Sequence, residues 1–393
     1  MYEVGEIIKL IKKIRKLDYY ILIPVILLSA IGIVMVYSSS SYLAAEMNNL
    51  QYHFRRQIVY VVVGFFLLFI TYLMNHQIIK NRKFIRAAYL VTIALLLLVL
   101  VFGDEINGAR AWLNLGFFQI QPAEIAKISI IMLFAGYYAR NMEKSANDFV
   151  KTLIKPGIAL LLVLGLIFWQ PDVGSVSIIL LTAFVMILAS GVSWKKSVFL
   201  LFAAFLMFIS LFLIIKTFGE ALPFIQPYQL ERFRAFFDPF SLSETAGHQL
   251  VNSYYALSRG GLTGVGLGNS VQKSGYLPEP HTDFIMAIIA EELGLIIVLL
   301  IISLFFFLII RIYIIAIRAK NTYNSLLCLG VASLFFIQAS VNLAGVVGLL
   351  PITGVTFPFI SFGGSSMLMS LIAIGLVLNV SLNERQLKEK ERI

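Results

Sequence analysis

The sequence predicts an all-α integral membrane protein of about ten transmembrane helices, with both termini cytoplasmic and one long extracellular loop between helices 7 and 8. Three observations predict it. Of 393 residues, 59% are hydrophobic and 13% charged, whereas a soluble globular domain carries about 25% charged residues. The apolar residues run in continuous stretches close to the ~20 residues a helix needs to cross a bilayer, without the every-second-residue alternation of a transmembrane barrel. Basic residues gather in alternate connections between the stretches, as cytoplasmic loops require.

The first stretch, 19–38, follows the basic residues Lys9, Lys12, Lys13, Arg15 and Lys16. It is too long for a signal-peptide core and lacks a small-residue cleavage pattern, so it reads as a first span behind a cytoplasmic tail. Nine more stretches follow at 57–74, 84–102, 122–139, 154–169, 173–191, 197–216, 283–310, 323–346 and 359–380. The fifth is short and meets the sixth in a tight turn at 170–174. Lys80, Arg82 and Lys83, then Arg140, Lys144, Lys151 and Lys155, then Lys195 and Lys196, then Arg311, Arg318 and Lys320, and finally Arg385, Lys388, Lys390 and Arg392 all fall on the side of the N-terminus. Trp112 and Trp194 sit at span ends, where interfacial aromatics collect. The opposite face carries loops at 103–121, 170–174, 217–282 and 347–358. Loops beyond about 12–15 residues are usually functional or disordered. The aromatic- and glycine-containing 217–282 loop is expected to be ordered, with short amphipathic helices on the membrane surface. The whole chain, 1–393, reads as a single transmembrane domain without internal repeats, which argues against an inverted-repeat transporter.

The net charge of +10 is accounted for by cytoplasmic loops beside anionic lipid, and no nucleic-acid partner is expected. The single cysteine, Cys328, excludes an internal disulfide. The four histidines lack metal-ligand spacing.

Ionisable residues within or beside apolar stretches are functional candidates. Glu124 and Lys127 are spaced i, i+3 and share a helix face, which suits both a neutralising ion pair and a ligand role. Pro122 fits the first helical turn. Arg110, outside the span, suits an anionic head group. Asp172, in WQPDVGS, fits a helix-capping aspartate. Arg232, Arg234 and Asp238 lie among aromatics in an amphipathic segment, from which Arg232 can reach a phosphate. The glycines of RGGLTGVGLGNSVQKSG, ending near Lys273, suit a phosphate cradle or plain loop flexibility, and match neither a Walker loop nor a dinucleotide fingerprint. In HTDF, Thr282 or Asp283 can cap the next helix; equally, Asp283 can take a proton from a sugar hydroxyl. Glu291 and Glu292 lie about two turns inside that helix, and one is expected to pair with a lysine or arginine of another helix.

Several stretches in order resemble one family: NGARAWLNLG (107–116), QPAEIAK (121–127), QPDVG (170–174), RGGLTGVGLGNSVQKSGYLPEPHTDF (259–284), AEELG (290–294) and NLAGVVGLLPITGVTFPFISFGGSS (342–366). The chain resembles the SEDS proteins of shape, elongation, division and sporulation, typified by FtsW, RodA and SpoVE. Ala111 and Phe362 depart from its commonest pattern. The resemblance implies a peptidoglycan glycosyltransferase of the bacterial cytoplasmic membrane that polymerises lipid II, an undecaprenyl-pyrophosphate-linked disaccharide pentapeptide. The 259–284 and 342–366 stretches are closer to FtsW and SpoVE than to RodA, which implies septal synthesis. Implied partners are a class B penicillin-binding transpeptidase and other membrane proteins of the division machinery. The resemblance assigns Asp283 as the candidate catalytic acid–base. Arg110, Lys127, Arg232 and Lys273 are candidate pyrophosphate contacts. Glu124, Asp172, Glu291 and Glu292 would set the charge pattern of the cavity. No protein metal site or nucleotide cofactor is expected, although a divalent cation such as Mg or Mn can accompany the pyrophosphate. A RodA-like elongation polymerase, a lipid II flippase and a transpeptidase-recruiting scaffold are the competing readings.

Overall fold

The computed structural model describes residues 13, 16–42, 49, 51–106, 109–114, 116, 118–221 and 227–391; most of the basic N-terminal tail lies outside them. In chain order the helices are α1 (Tyr19–Ser39), α2 (Tyr52–Leu73), α3 (His76–Ile79), α4 (Arg82–Phe102), α5 (Pro122–Asn147), α6 (Phe149–Phe168), α7 (Val173–Leu188), α8 (Trp194–Phe218), α9 (Pro227–Phe237), α10 (His248–Gly260), α11 (Ile285–Arg318), α12 (Thr322–Val346) and α13 (Gly364–Lys390). Eight of them, α1, α2, α4, α6, α8, α11, α12 and α13, are long and apolar enough to cross a membrane. The two other predicted spans are helices as well. In α5, Glu124 and Lys127 interrupt the apolar run, and α7 has only 16 residues.

Local chemistry starts several of these helices. The side chains of Asn75, Asn81 and Asn321 accept hydrogen bonds from the backbone N–H groups of Gln77, Lys83 and Tyr323, satisfying donors that a helix start leaves open. Pro122 occupies the first turn of α5, where its missing N–H costs nothing. α12 and α13 are largely buried and form the centre of the bundle, whereas no residue of α8 is buried. α8 meets α9 through Phe212, whose ring lies 5.1 Å from Phe233 and 5.4 Å from Phe237.

At one end of the bundle, buried Asp18 joins three elements. It accepts from Arg311 Nη2 at 2.7 Å and Arg385 Nη2 at 3.1 Å. The start of α1 and the ends of α11 and α13 are thereby pinned together. Arg311 belongs to α11, which continues to Arg318, beyond the expected end at 310. The last helix starts at Gly364 rather than 359, because 358–360 forms a turn and 361 a bend.

Two other features depart from expectation. The 103–121 loop holds a small antiparallel sheet of β1 (Asp104–Ile106), β2 (Ala109–Asn114) and β3 (Gln119–Ile120), in the order β1-β2-β3. The 217–282 loop contains α9 and α10, as expected, and its glycines pack backbone against backbone. α11 breaks at Gly294, whose φ of 80° suits a residue without Cβ. The glycine-rich turn enters that break. Val265 and Gly266 N–H donate to the Glu291 and Glu292 carbonyls, and Leu295 and Ile296 N–H donate to Gly261 and Leu262. A Cβ on Gly264 would overlap the Glu292 carbonyl. The glycines therefore permit backbone to interlock with backbone.

Candidate functional site

The turn between the glycine-rich segment and α11 presents Asp283. Three hydrogen bonds hold its backbone: Phe362 N–H donates to His281 O at 2.8 Å, Ser361 Oγ to Thr282 O at 2.7 Å, and Asn342 Nδ2 to Asp283 O at 2.8 Å. Asn342 also donates to Val355 O at 2.7 Å, so one α12 side chain fixes both this turn and the 347–363 segment. Asp283 is half-buried at the mouth of a small cavity lined also by Asn342, Val346, Ile352, Thr353 and Gly354. It does not cap α11, whose N-cap, Phe284, has no side-chain bond. No hydrogen bond among the described residues engages its carboxylate.

Desolvation dominates the electrostatics of Asp283, and the neighbouring Glu279 adds to it. Together they push its pKa from 3.8 to about 7, against the pull of Arg232 and with a further push from Asp172. Glu279 accepts from Thr282 Oγ1 at 2.9 Å within the same turn. Arg232 lies half-buried on α9. Asp172 does cap a helix: it accepts from Ser175 N at 2.9 Å and from Gln121 Nε2 at 2.9 Å. The structure thus brings Asp283, Arg232 and Asp172 into one neighbourhood.

Lys127 and Glu124 form the expected i, i+3 pair at 2.6 Å, almost wholly buried. Lys127 also donates to Gln338 Oε1 at 3.4 Å, and Gln338 Nε2 donates to Thr356 O at 3.1 Å. This polar chain ends on the segment that forms the cavity wall.

Lys273 is placed differently. It is buried, and its ammonium meets Glu292 Oε1 at 2.7 Å, Gly268 O at 2.8 Å and Ser38 Oγ at 3.0 Å. All three N–H bonds are occupied, so in this arrangement Lys273 acts as a strut. Glu291 accepts from Ser270 Oγ and from Val271 N at 2.9 Å, and Arg259 stands 3.6 Å away. Both glutamates therefore find basic partners on the glycine-rich side, where one was expected to. Arg110 is exposed on β2, in register with Glu105 of β1.

Sequence reasoning passed over Glu279, Asn342, His53 and Arg56. Glu279 and Asn342 carry a readable signal only as neighbours of Asp283 within the quoted stretches. His53 and Arg56 start α2 and reach the site through tertiary packing alone. Arg56 lies over the Tyr52 ring, 4.6 Å from its centroid. Among the described residues, no group of three or more His, Cys, Asp or Glu is placed to hold a metal ion. An apolar groove of about 400 Å³, lined by Leu100, Leu161, Leu162, Gly165, Leu166 and Trp169, opens between α4 and α6, next to the turn that carries Asp172.

Comparison with known proteins places this geometry in context. The family described as cell cycle protein, comprising FtsW, RodA and SpoVE, matches residues 18–386. The chain is 39% identical to the probable peptidoglycan glycosyltransferase FtsW of Bacillus subtilis (strain 168), covering 97% of this chain and 94% of that protein. It is 38% identical to the protein of the same description from Lactococcus lactis, covering 95% and 94%. Among solved structures, it superposes with a TM-score of 0.76 and 29% identity on a chain of a peptidoglycan synthase complex that coordinates polymerization and crosslinking, covering 94% and 99%. It also superposes on the rod shape determining protein RodA of Thermus thermophilus with a TM-score of 0.67 and 26% identity, covering 94% and 97%.

Proposed function

The chain belongs to the FtsW, RodA and SpoVE family of cell cycle proteins, and from that footing we propose that it is a peptidoglycan glycosyltransferase of the FtsW type that polymerises lipid II during septal wall synthesis. One observation carries the assignment of its acid–base group. Every other carboxylate singled out in the sequence is engaged: Glu124 by Lys127, Glu292 by Lys273, Glu291 by Ser270 and Val271, and Asp172 by Gln121 and Ser175. Among the described residues, Asp283 alone of these presents a carboxylate without a hydrogen bond, at a cavity mouth, titrating near neutrality.

A pKa near the working pH is what a general base needs. Asp283 accepts the proton of the 4-hydroxyl on the acceptor N-acetylglucosamine as that oxygen bonds to the anomeric carbon of the donor N-acetylmuramic acid. The bond from that carbon to the pyrophosphate breaks on the opposite face, inverting the centre and releasing undecaprenyl pyrophosphate. Arg232 stabilises the departing negative charge. Asn342 and the bonds from Ser361 and Phe362 fix the base beforehand, so that little reorganisation accompanies proton transfer. The groove beside Trp169 suits the polyprenyl tail.

Ten crossings, α5 and α7 included, fit the pinning of the α1 start to the α13 end at one end of the bundle, since two ends on one face require an even number. The basic connections put that face in the cytoplasm and the 217–282 loop with Asp283 outside. A class B transpeptidase is the proposed partner, supported by the likeness to a chain of a synthase complex. The test is incubation of the purified protein and its cognate transpeptidase with labelled lipid II. Glycan strands together with free undecaprenyl pyrophosphate are expected. Lipid II moved across a vesicle membrane without polymerisation would instead favour a flippase.

A further inference from the structure

Beneath the turn that carries Asp283, two imidazoles are packed face to tilted face. His53, in the first turn of α2, and His281 are 8% and 6% exposed. Their ring centroids lie 4.5 Å apart, at 57°. Phe362 closes the cluster, 5.0 Å from His53 and 5.4 Å from His281, and Tyr52 meets His53 edge-on at 5.1 Å. Phe362 is also the residue whose N–H holds the His281 carbonyl. Among the described residues, both ring nitrogens of His53 and Nδ1 of His281 are buried without a hydrogen-bond partner.

This packing tolerates neutral rings only. A buried polar atom without a partner already costs free energy, and a buried charge without a partner costs far more. The facing groups give little relief. The charged groups facing the pair are Arg56 of α2 and Glu279 of the turn, of opposite sign, so they cancel in part. Tyr52 and Tyr60 of α2 contribute neutral phenols, and the 357–363 segment contributes Phe362 and no charge.

We infer that the His53–His281 stack is a positioning element for Asp283 that holds its turn closed while both rings are neutral and releases it when the outer face acidifies. The inference rests on the reading of Asp283 as the catalytic base. The sign follows from burial, which lowers the His281 pKa from 6.5 to about 4. Below pH 6.5 an opened turn takes up a proton that the closed turn refuses, so opening becomes easier as pH falls and levels off below about pH 4. For one histidine this linkage increases the opening constant about 30-fold between pH 7.5 and pH 5.0.

The test is hydrogen–deuterium exchange of the full chain in nanodiscs at pH 7.5 and pH 5.0, corrected for intrinsic exchange rates. Peptides covering 276–284 are compared with peptides of α12. In wild type, opening of 276–284 is expected to rise about 30-fold while α12 keeps its protection. His281→Phe keeps the ring packing but cannot charge, so its 276–284 opening should change less than about threefold. His281→Gln is a second neutral replacement in case the phenylalanine disturbs folding. The inference is overturned if wild type shows no increase, if the neutral variants open as much as wild type, or if α12 opens in parallel. Because exchange requires no turnover, a chain that fails to polymerise lipid II yet shows this opening would refute the catalytic reading and leave the pH-dependent stack in place.

Discussion

Replacing Lys273 by methionine tests whether the glycine-rich segment is a strut or an anion cradle. Lys273 Nζ makes three contacts of 2.7–3.0 Å, one of them to Glu292, which is 0% exposed. Methionine preserves most of the volume and removes the charge, leaving Glu292 with only Ser38, whose Oγ lies 2.7 and 2.8 Å from its oxygens. Breaking one side of a buried pair costs about 3–5 kcal/mol, because the surviving charge stays buried, whereas removing both charges is close to neutral. Lys273→Met should therefore destabilise the protein by about 3–5 kcal/mol, and adding Glu292→Gln should recover most of that. Cys328, free and fully buried in α12, supplies the assay: maleimide labelling against increasing denaturant reports unfolding directly. A single mutant within about 0.5 kcal/mol of wild type, or a double mutant no better than the single, would refute the strut.

Three further outcomes follow from the same geometry. Gly264→Val forces a side chain at φ 77° into the Glu292 carbonyl, and should abolish recovery of monodisperse protein on size exclusion. With Asp283 titrating at about 7, its ionised fraction rises about tenfold between pH 6 and pH 8. The polymerisation rate should follow that rise, and Arg232→Gln should move the midpoint to higher pH by removing a nearby positive charge. Because the folded state holds the Asp283 proton up to about pH 7 while the unfolded state releases it near 3.8, stability contributed by this residue falls as pH rises through that window. Asp283→Asn should consequently unfold at higher denaturant than wild type at pH 8, with the gap closing toward pH 4.

What was legible in the sequence was whatever has a local signature. The helices announced themselves by apolar length, and Asp172 and Pro122 by their places at helix starts. Glu124 and Lys127 were paired by spacing alone, since i, i+3 places them on one face. The partners of Glu291 and Glu292 were not legible, because Arg259, Ser38 and Lys273 reach them only after α11 breaks at Gly294 and admits the glycine-rich turn. The same gap in sequence hid His53, which meets His281 from the other end of the chain. The small sheet of 104–120 was missed because strands of two to six residues carry almost no periodicity. Lys273 reads as a phosphate ligand because a lysine after glycines matches that chemistry; the Glu292, Gly268 and Ser38 contacts of its ammonium are set by tertiary packing and have no local signature.

The central claim is that Asp283 is the base of a glycan polymerase. It is tested most directly by comparing wild type with Asp283→Asn, each purified with the cognate transpeptidase, for polymerisation of labelled lipid II. Wild type should make glycan strands, and the folded, partner-bound mutant should make none. Polymerisation by Asp283→Asn at the wild-type rate would contradict the claim and leave Asp283 without a role in the chemistry.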